Sequence, residues 1–211
     1  MQSIIKPYRG KFPTVLLFGP PGAGKGTLGR FLDQANTQRY VSSGDIFRSL
    51  DPESSAGQLY YAYAKDKKLV PDDVTLEIWW HYVQGLIATN RYYPASQDLL
   101  LEGIPRTAIQ AKALLQWIEV RHIIVLESFD QHDLYHRMLR RARLEGKLQY
   151  MTEPEFEQQF KEYLAQIDDV LKVYPSHLIS RVNAEQRSLE VLRDVLVRLS
   201  HILSSRPNSK Q

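Results

Sequence analysis

The sequence predicts an α/β fold in which a parallel sheet lies between two layers of helices. Several short apolar runs lack polar alternation, which is typical of strands that are buried on both faces. Amphipathic stretches separate these runs, and strands that alternate with helices favour a doubly wound parallel sheet. A glycine-rich segment directly after the first run indicates a tight strand-to-helix turn.

The strands are predicted from four apolar runs, at residues 14–18, 99–101, 123–126 and 178–182. The helices are predicted from apolar residues at three and four spacing, over residues 28–35, 74–88, 108–117, 134–143 and 189–203. Asp130 is a candidate N-cap, and Thr152 with Glu155 has the spacing of a capping box. Asp72 and Asp73 are expected to cap the helix that follows them.

Composition restricts the class of protein. The chain has 211 residues, which suits one α/β core with small insertions, and its net charge of +3 is too small to argue for nucleic-acid binding. The absence of cysteine excludes a disulfide framework and a Cys-ligated zinc site. No run approaches the roughly 18 apolar residues of a transmembrane helix, and the start lacks the apolar core of a signal peptide. We therefore expect a cytoplasmic protein with no membrane partner.

The segment GPPGAGKGT, residues 19–27, has the features of a phosphate-binding loop. Its glycines allow a tight turn that aims backbone N–H groups at phosphate oxygens, and the following helix adds its positive N-terminus. Lys25 supplies a positive charge for the β- and γ-phosphates. Gly26 stands where the strict pattern has a hydroxyl residue, and Thr27 follows one place later. The residues expected to bind ATP here are Gly22, Ala23, Gly24, Lys25, Gly26 and Thr27.

Four further segments follow the loop: SSGDIFR at 42–48, KLVPDDV at 68–74, LLLEGIPRTAIQA at 99–111 and DQHDLYHRMLRRAR at 130–143. Arg137 and Arg141 are four residues apart and therefore share a helix face. Taken alone, such a basic face is equally compatible with solvated side chains, and Glu102 with Arg106 is compatible with a structural ion pair.

Together with the GKGT ending of the loop, these segments resemble the adenylate kinases and the related pyrimidine monophosphate kinases over residues 14–182. The resemblance implies a three-layer P-loop NTPase fold with a central parallel five-stranded sheet, a small helical NMP-binding subdomain and a short lid. It implies one kinase domain over residues 1–211. The core is expected at about 12–42, 73–141 and 155–205, the NMP-binding insertion at about 43–72 and the lid at about 142–154.

The resemblance also implies an activity, which is transfer of the γ-phosphoryl group of Mg²⁺-ATP to AMP by a monomer, giving two ADP. The implied catalytic residues are Lys25, Arg106, Arg137 and Arg141, and Arg137 also binds ATP. The implied AMP-binding residues are Ser43, Arg48, Val70, Gly103, Arg106, Gln110 and Arg141. Glu102 stands where the family has an aspartate that orients the waters of Mg²⁺. Its extra methylene still allows this role, because Mg²⁺ keeps most of its waters.

Two alternatives to AMP phosphorylation remain open at the level of sequence. Thr107 with Gln110 is the adenylate pattern, whereas pyrimidine kinases have asparagines near these positions, so a kinase for CMP or UMP is the first alternative. The second is an ATP-binding protein with weakened transfer activity, because the family's lid carries further arginines.

This chain has no arginine between residues 143 and 181. Gln159 stands at one of the family's arginine positions, and Lys147 is a candidate to take over part of the role of another. Lost charge-assisted contacts of this kind cost on the order of 2–4 kcal/mol of transition-state stabilisation when nothing replaces them.

Overall fold

The computed structural model describes residues 8–65, 70–144, 146 and 151–204 of the chain. The strands in this part are β1 (Phe12–Phe18), β2 (Gln38–Ser42), β3 (Asp98–Glu102), β4 (Ile118–Glu127) and β5 (Ile179–Asn183). The helices are α1 (Lys25–Gln34), α2 (Ser43–Arg48), α3 (Ser55–Lys65), α4 (Asp72–Ala88), α5 (Ala108–Leu114), α6 (Gln131–Leu144), α7 (Glu153–Leu171) and α8 (Ser188–Ser204). A 3₁₀ turn, Ser176–Leu178, precedes β5.

The strands form one sheet in the order β2-β3-β1-β4-β5, and every neighbouring pair is parallel. β1 lies at the centre, where Leu16 pairs with Leu101 of β3 and with Ile123 of β4. The carboxyl ends of β1, β2 and β3 therefore meet at one edge of the sheet. In open parallel sheets this edge is where ligands bind.

Alternate residues of the central strands enter two separate cores. Leu16 and Leu101 pack on one face with apolar residues of α4 and α5, among them Trp79. Val15 and Leu17 pack on the other face with residues of α1, α6 and α8. The two ends of α7 contribute to different cores. The predicted arrangement of a parallel sheet between two layers of helices is thus confirmed, as is its five-stranded form.

The four predicted strands are present, and β2 is the strand that no apolar run indicated. Its sequence, QRYVS, contains three polar residues, and it lies at an edge of the sheet. Gln38 and Ser42 are nevertheless buried, so the strand is covered in the fold although its polar residues remove the apolar signal from the sequence. The resemblance supplied the fifth strand where the residue pattern did not.

The predicted N-caps agree with the structure at Asp130 and Thr152. The prediction that Asp72 and Asp73 cap α4 is wrong, because Pro71 holds the N-cap position and no described side chain caps the helix. The N–H of Asp133 donates to Oδ1 of Asp130 at 2.9 Å, and the N–H of Thr152 donates to the Glu155 carboxylate at 2.9 Å, so both predicted caps are confirmed. Asp73 accepts from the N–H of Val74 at 2.9 Å. The Asp72 carboxylate was expected to cap α4, but it bonds to α5 instead.

No helix among the described residues is both long and apolar enough to cross a membrane.

Candidate active site

The predicted phosphate loop, residues 19–27, lies at the carboxyl edge of the sheet, where residues 19–24 join β1 to α1 and residues 25–27 form the first turn of α1. Gly22 has a φ of 83°, and a Cβ at this position would lie 2.3 Å from the carbonyl oxygen of Leu134 in α6. Gly24 has a φ of 89°, and a Cβ there would point into open space. Both conformations favour glycine. The loop backbone is therefore pressed against α6 on one side and open on the other.

Lys25, the first residue of α1, lies inside this loop. Its Nζ donates to the carbonyl oxygens of Gly19 at 2.8 Å and Pro20 at 2.9 Å. Desolvation lowers the pKa of Lys25, the negative charge of Glu102 opposes this shift, and the positive charges of Arg106 and Arg141 add to it. Two cations and one carboxylate thus act on the Lys25 ammonium group beside the loop, and such an excess of positive charge suits a polyphosphate ligand.

Gly26, which departs from the strict pattern, makes room for side chains from other elements. A Cβ at Gly26 would lie 3.2 Å from Nη1 of Arg141 and 3.5 Å from the hydroxyl oxygen of Tyr40. At Gly29, one turn later, a Cβ would lie 2.3 Å from the ring of Tyr40. A larger residue at Gly26 would crowd the Arg141 guanidinium at the loop. Glycine at these two positions lets α1 pack closely on β2.

Tyr40 of β2 contacts both α1 and Glu102, the residue predicted to orient the water ligands of Mg²⁺. Its hydroxyl donates a hydrogen bond to Oε2 of Glu102, which ends β3. Desolvation and the charge of Glu102 raise the pKa of Tyr40, so the phenol keeps its proton and remains a donor. The hydrogen bond holds the Glu102 carboxylate at the carboxyl edge of the sheet.

Three of the predicted AMP-binding residues lie together beside this edge. Gly103 has a φ of 77°, and a Cβ there would lie 2.2 Å from Oγ of the buried Ser43. Arg106 donates from Nε to the Gly103 carbonyl at 3.0 Å and from Nη2 to Ser43 Oγ at 3.4 Å. The start of α2 and the turn after β3 are therefore joined through Arg106.

Gln110, a fourth predicted AMP-binding residue, lies in a hydrogen-bonded network between α4 and α5. Its Oε1 accepts from the backbone N–H of Arg106 at 2.7 Å, and its Nε2 donates to Oδ1 of Asp72 at 2.7 Å. Thr107 Oγ1 donates to Oδ2 of Asp72 at 2.8 Å and accepts from the N–H of Gln110 at 3.1 Å. Asp72 thus attaches the first turn of α4 to the first turn of α5.

Two other predicted AMP-binding residues have local partners instead. Nη2 of Arg48 forms an ion pair with Oδ1 of Asp45 at 2.6 Å within α2, and the carbonyl of Val70 accepts from Thr75 Oγ1 at 3.3 Å. Arg48 is largely exposed. The structure therefore does not bring these two into the cluster around Arg106.

The two predicted arginines of α6 reach different parts of the cleft. Arg137 donates to the carbonyl oxygens of Ala184 at 2.6 Å and Glu185 at 3.3 Å, in the turn after β5. Its Nε lies 2.6 Å from Oδ2 of Asp133. Arg141, one turn further along, lies against Gly26 at the phosphate loop. One helix face thus serves both the loop and the turn after β5.

The predicted lid is described only in part. Lys147 lies outside the described residues, as do residue 145 and residues 148–150. Gln159 is an exposed residue of α7. The boundaries of the lid and of the NMP-binding insertion stay predictions.

These features suit a ligand that carries phosphate groups, and comparison with known proteins shows the family to which the chain belongs. The adenylate kinase family model matches residues 17–179, a span that includes the loop, the segment after β3 and α6. The chain belongs to the adenylate kinase family.

Curated adenylate kinases show the same relationship. The protein from Flavobacterium psychrophilum is 30% identical over 192 residues, which cover 86% of this chain and 97% of that protein. The adenylate kinase from Flavobacterium johnsoniae is 33% identical over 155 residues, 71% of this chain and 77% of that protein. The one from Moorella thermoacetica is 38% identical over 109 residues, 51% of this chain and 46% of that protein.

Adenylate kinases take Mg²⁺ with ATP, and the carboxylate groups near the phosphate loop of this family member decide how such an ion could be held. The described residues contain no group of three or more His, Asp or Glu side chains that could hold a metal ion. Glu102 is a single carboxylate placed beside the phosphate loop. Mg²⁺ in nucleotide sites takes most of its ligands from phosphates and water and only one or two from carboxylates. The residues therefore fit a Mg²⁺ ion that enters with the nucleotide.

Two residues of the site, Tyr40 and Asp72, were not predicted to belong to it. Tyr40 lies in the strand that lacked an apolar signal, and its partner Glu102 is 62 positions away. Asp72 was interpreted as a helix cap. Two features of the sequence could have indicated them. Glycines at positions 26 and 29 indicate a large neighbour against one face of α1. Two consecutive aspartates at a helix start indicate that at least one of them is available for a contact with another element.

Proposed function

We propose that this protein transfers the γ-phosphoryl group of Mg²⁺-ATP to AMP, giving two ADP, with the residues around the phosphate loop. Membership of the adenylate kinase family supports ATP:AMP phosphotransfer. The observation that best supports the site is the position of Lys25, whose Nζ lies 2.8 Å from the Gly19 carbonyl oxygen inside the loop, with the Arg141 guanidinium beside Gly26. Phosphoryl transfer needs little covalent chemistry from the protein and much cationic charge around the equatorial oxygens.

On the donor side, the phosphates of ATP would lie on the open face of the loop, against Gly22, Ala23, Gly24, Lys25, Gly26 and Thr27. Lys25 would exchange the neutral carbonyls of Gly19 and Pro20 for charged phosphate oxygens, which are stronger acceptors. Arg137 would fix the turn after β5 beside the base of ATP. Mg²⁺, when bound, neutralises charge on the β- and γ-phosphates, and Glu102 would orient its water ligands.

On the acceptor side, AMP would lie against Ser43, Gly103, Arg106 and Gln110. Arg48 would leave Asp45 for the phosphate of AMP, and Val70 would border the base through its backbone. Arg141, at the loop, would stabilise the charge on the transferring group. Closure of the NMP-binding insertion and the lid would exclude water and so limit ATP hydrolysis. We further propose that the protein acts as a monomer in the cytoplasm.

The test is an acceptor panel. Purified protein is incubated with Mg²⁺-ATP and, separately, AMP, CMP, UMP, GMP or no acceptor, and the products are separated by chromatography. We expect rapid formation of two ADP for each AMP consumed. CDP or UDP in place of this would assign the protein to pyrimidine monophosphates. Folded, ATP-binding protein that forms no acceptor-dependent ADP would overturn the proposed activity.

A further inference from the structure

We propose that Asp72 is a specificity-determining residue, which holds the Gln110 carboxamide in one orientation and thereby selects an acceptor base with an amino group beside an unprotonated ring nitrogen. Adenine and cytosine present such an edge. Hypoxanthine, guanine and uracil present a carbonyl beside a ring N–H, which is the reverse pattern. The inference rests on the proposed function, because it concerns the acceptor base.

The orientation of Gln110 follows from the polarity of its two partners. A carboxamide turned by 180° keeps its shape but exchanges its oxygen and its NH₂ group. The backbone N–H of Arg106 can only donate, and it lies 2.7 Å from Oε1. The carboxylate of Asp72 can only accept, and its Oδ1 lies 2.7 Å from Nε2. A turned amide would place NH₂ against N–H and oxygen against a carboxylate. Only one orientation therefore satisfies both partners.

Asp72 is itself held in place by Thr107. Thr107 Oγ1 accepts from the N–H of Gln110 at 3.1 Å, so its proton is directed to Oδ2 of Asp72, 2.8 Å away. Gln110 is only 4% exposed, and water competes little with these bonds. Asp72, Thr107, Gln110 and the Arg106 backbone form a network in which each donor faces an acceptor.

The groups that Gln110 has left over define the base that it can read. After the bonds to Arg106 and Asp72, one N–H remains on Nε2 and one lone pair remains on Oε1. This pair is complementary to an unprotonated ring nitrogen and an adjacent amino group. A base of reversed polarity would bring donor to donor and acceptor to acceptor, and sites built on such hydrogen bonds reject mismatched partners strongly.

The experiment compares AMP with IMP, whose hypoxanthine base has the same size and the reversed edge, in wild-type protein and in Asp72→Asn. The asparagine amide can offer Gln110 either an oxygen or an NH₂ group, so the residue at position 72 can form a hydrogen bond with Gln110 in both orientations of the Gln110 amide. Since Arg106 still favours one orientation, we expect the AMP to IMP ratio of kcat/KM to fall about tenfold. The KM for ATP should stay unchanged.

Asp73→Asn is the matched control, because Asp73 is the neighbouring acid in the same helix turn. Its side chain is exposed and accepts a hydrogen bond from the N–H of Val74, and not from Gln110 or Thr107. It should leave the AMP to IMP ratio at the wild-type value. Thr107→Val is an independent variant of nearly equal shape, which removes the hydroxyl that holds Asp72. It should lower the same ratio severalfold.

An unchanged ratio in Asp72→Asn and Thr107→Val would overturn the inference, as would an equal loss of activity toward AMP and IMP, since that indicates a structural role. Calorimetric binding of AMP and IMP to the same proteins separates this result from the proposed activity. Wild-type protein that binds AMP without making ADP would contradict the phosphotransfer, whereas the binding ratio would still decide the role of Asp72.

Discussion

The proposed donor and acceptor sides of the site are built from different parts of the chain. The phosphate loop is formed mainly by backbone, in which Gly22 and Gly24 take positive φ values and Lys25 bonds to the carbonyl oxygens of Gly19 and Pro20, six and five positions away. The acceptor side is a side-chain structure, in which Asp72 bonds to Thr107 and Gln110, 35 and 38 positions away. A substitution in the loop should therefore affect the chemistry itself. A substitution in the acceptor network should mainly affect which nucleotide is bound.

The largest effect is expected for Lys25→Met. It removes the charge for the β- and γ-phosphates, so kcat should fall by about 1000-fold or more. The melting temperature should change little, because loss of the two hydrogen bonds to Gly19 and Pro20 is offset by removal of a desolvated charge. Steady-state rates and a thermal melt measure the two quantities. Lys112→Met, which alters an exposed lysine of α5, is the control. Unchanged turnover in Lys25→Met would remove the catalytic assignment.

Gln110→Ala tests the acceptor side. The KM for AMP should rise about tenfold or more and the KM for ATP much less, because one substrate loses its hydrogen-bonding partner. The N–H of Arg106 and the Asp72 carboxylate also lose a partner, so the free energy of unfolding should fall by about 1–3 kcal/mol. Kinetics with each substrate varied in turn provide the comparison. An equal rise in both KM values would mean that Gln110 does not lie at the acceptor site.

Gly29→Ala tests the packing of α1 on β2. A Cβ at this position lies 2.3 Å from the Tyr40 ring, so we expect a loss of about 1–3 kcal/mol in the free energy of unfolding, measured with urea. Gly85→Ala in α4 is the matched control, because no atom lies within 4 Å of the added Cβ. It should gain about 0.5–1 kcal/mol. A similar change in both variants would show that the glycine face of α1 is unimportant.

The smallest effect is expected for Tyr40→Phe, which keeps the ring and removes only the hydroxyl that bonds to Glu102. The Mg²⁺ concentration for half-maximal rate at fixed ATP should rise about threefold, and the KM for AMP should not change. Titration of Mg²⁺ in both proteins tests this expectation. An identical Mg²⁺ dependence would leave the Tyr40 hydroxyl with a packing role only.

The same difference between the two sides explains what could be predicted from the sequence. The loop was predicted, with Lys25, because a buried strand, a glycine pattern and a helix follow one another within a few residues. The resemblance placed Arg106 and Gln110 in the site. It did not indicate that Asp72 holds Gln110, since a contact across 38 positions leaves no local pattern. β2, with Tyr40, was missed because polar residues interrupt its sequence, QRYVS, although Gln38 and Ser42 are buried in the fold.

The attachment of α4 to α5 through Asp72 also limits which helices can move when the proposed NMP-binding insertion closes. α4 buries Trp79 and Val83 in the core, and Asp72 in its first turn bonds to Thr107 and Gln110. We therefore expect this helix to keep a fixed position relative to the sheet. At the other end, Ser42 ends β2 and caps α2 through the N–H of Asp45. In the closure proposed above, we therefore expect α3 to move over the bound acceptor while α4 keeps its place against the sheet.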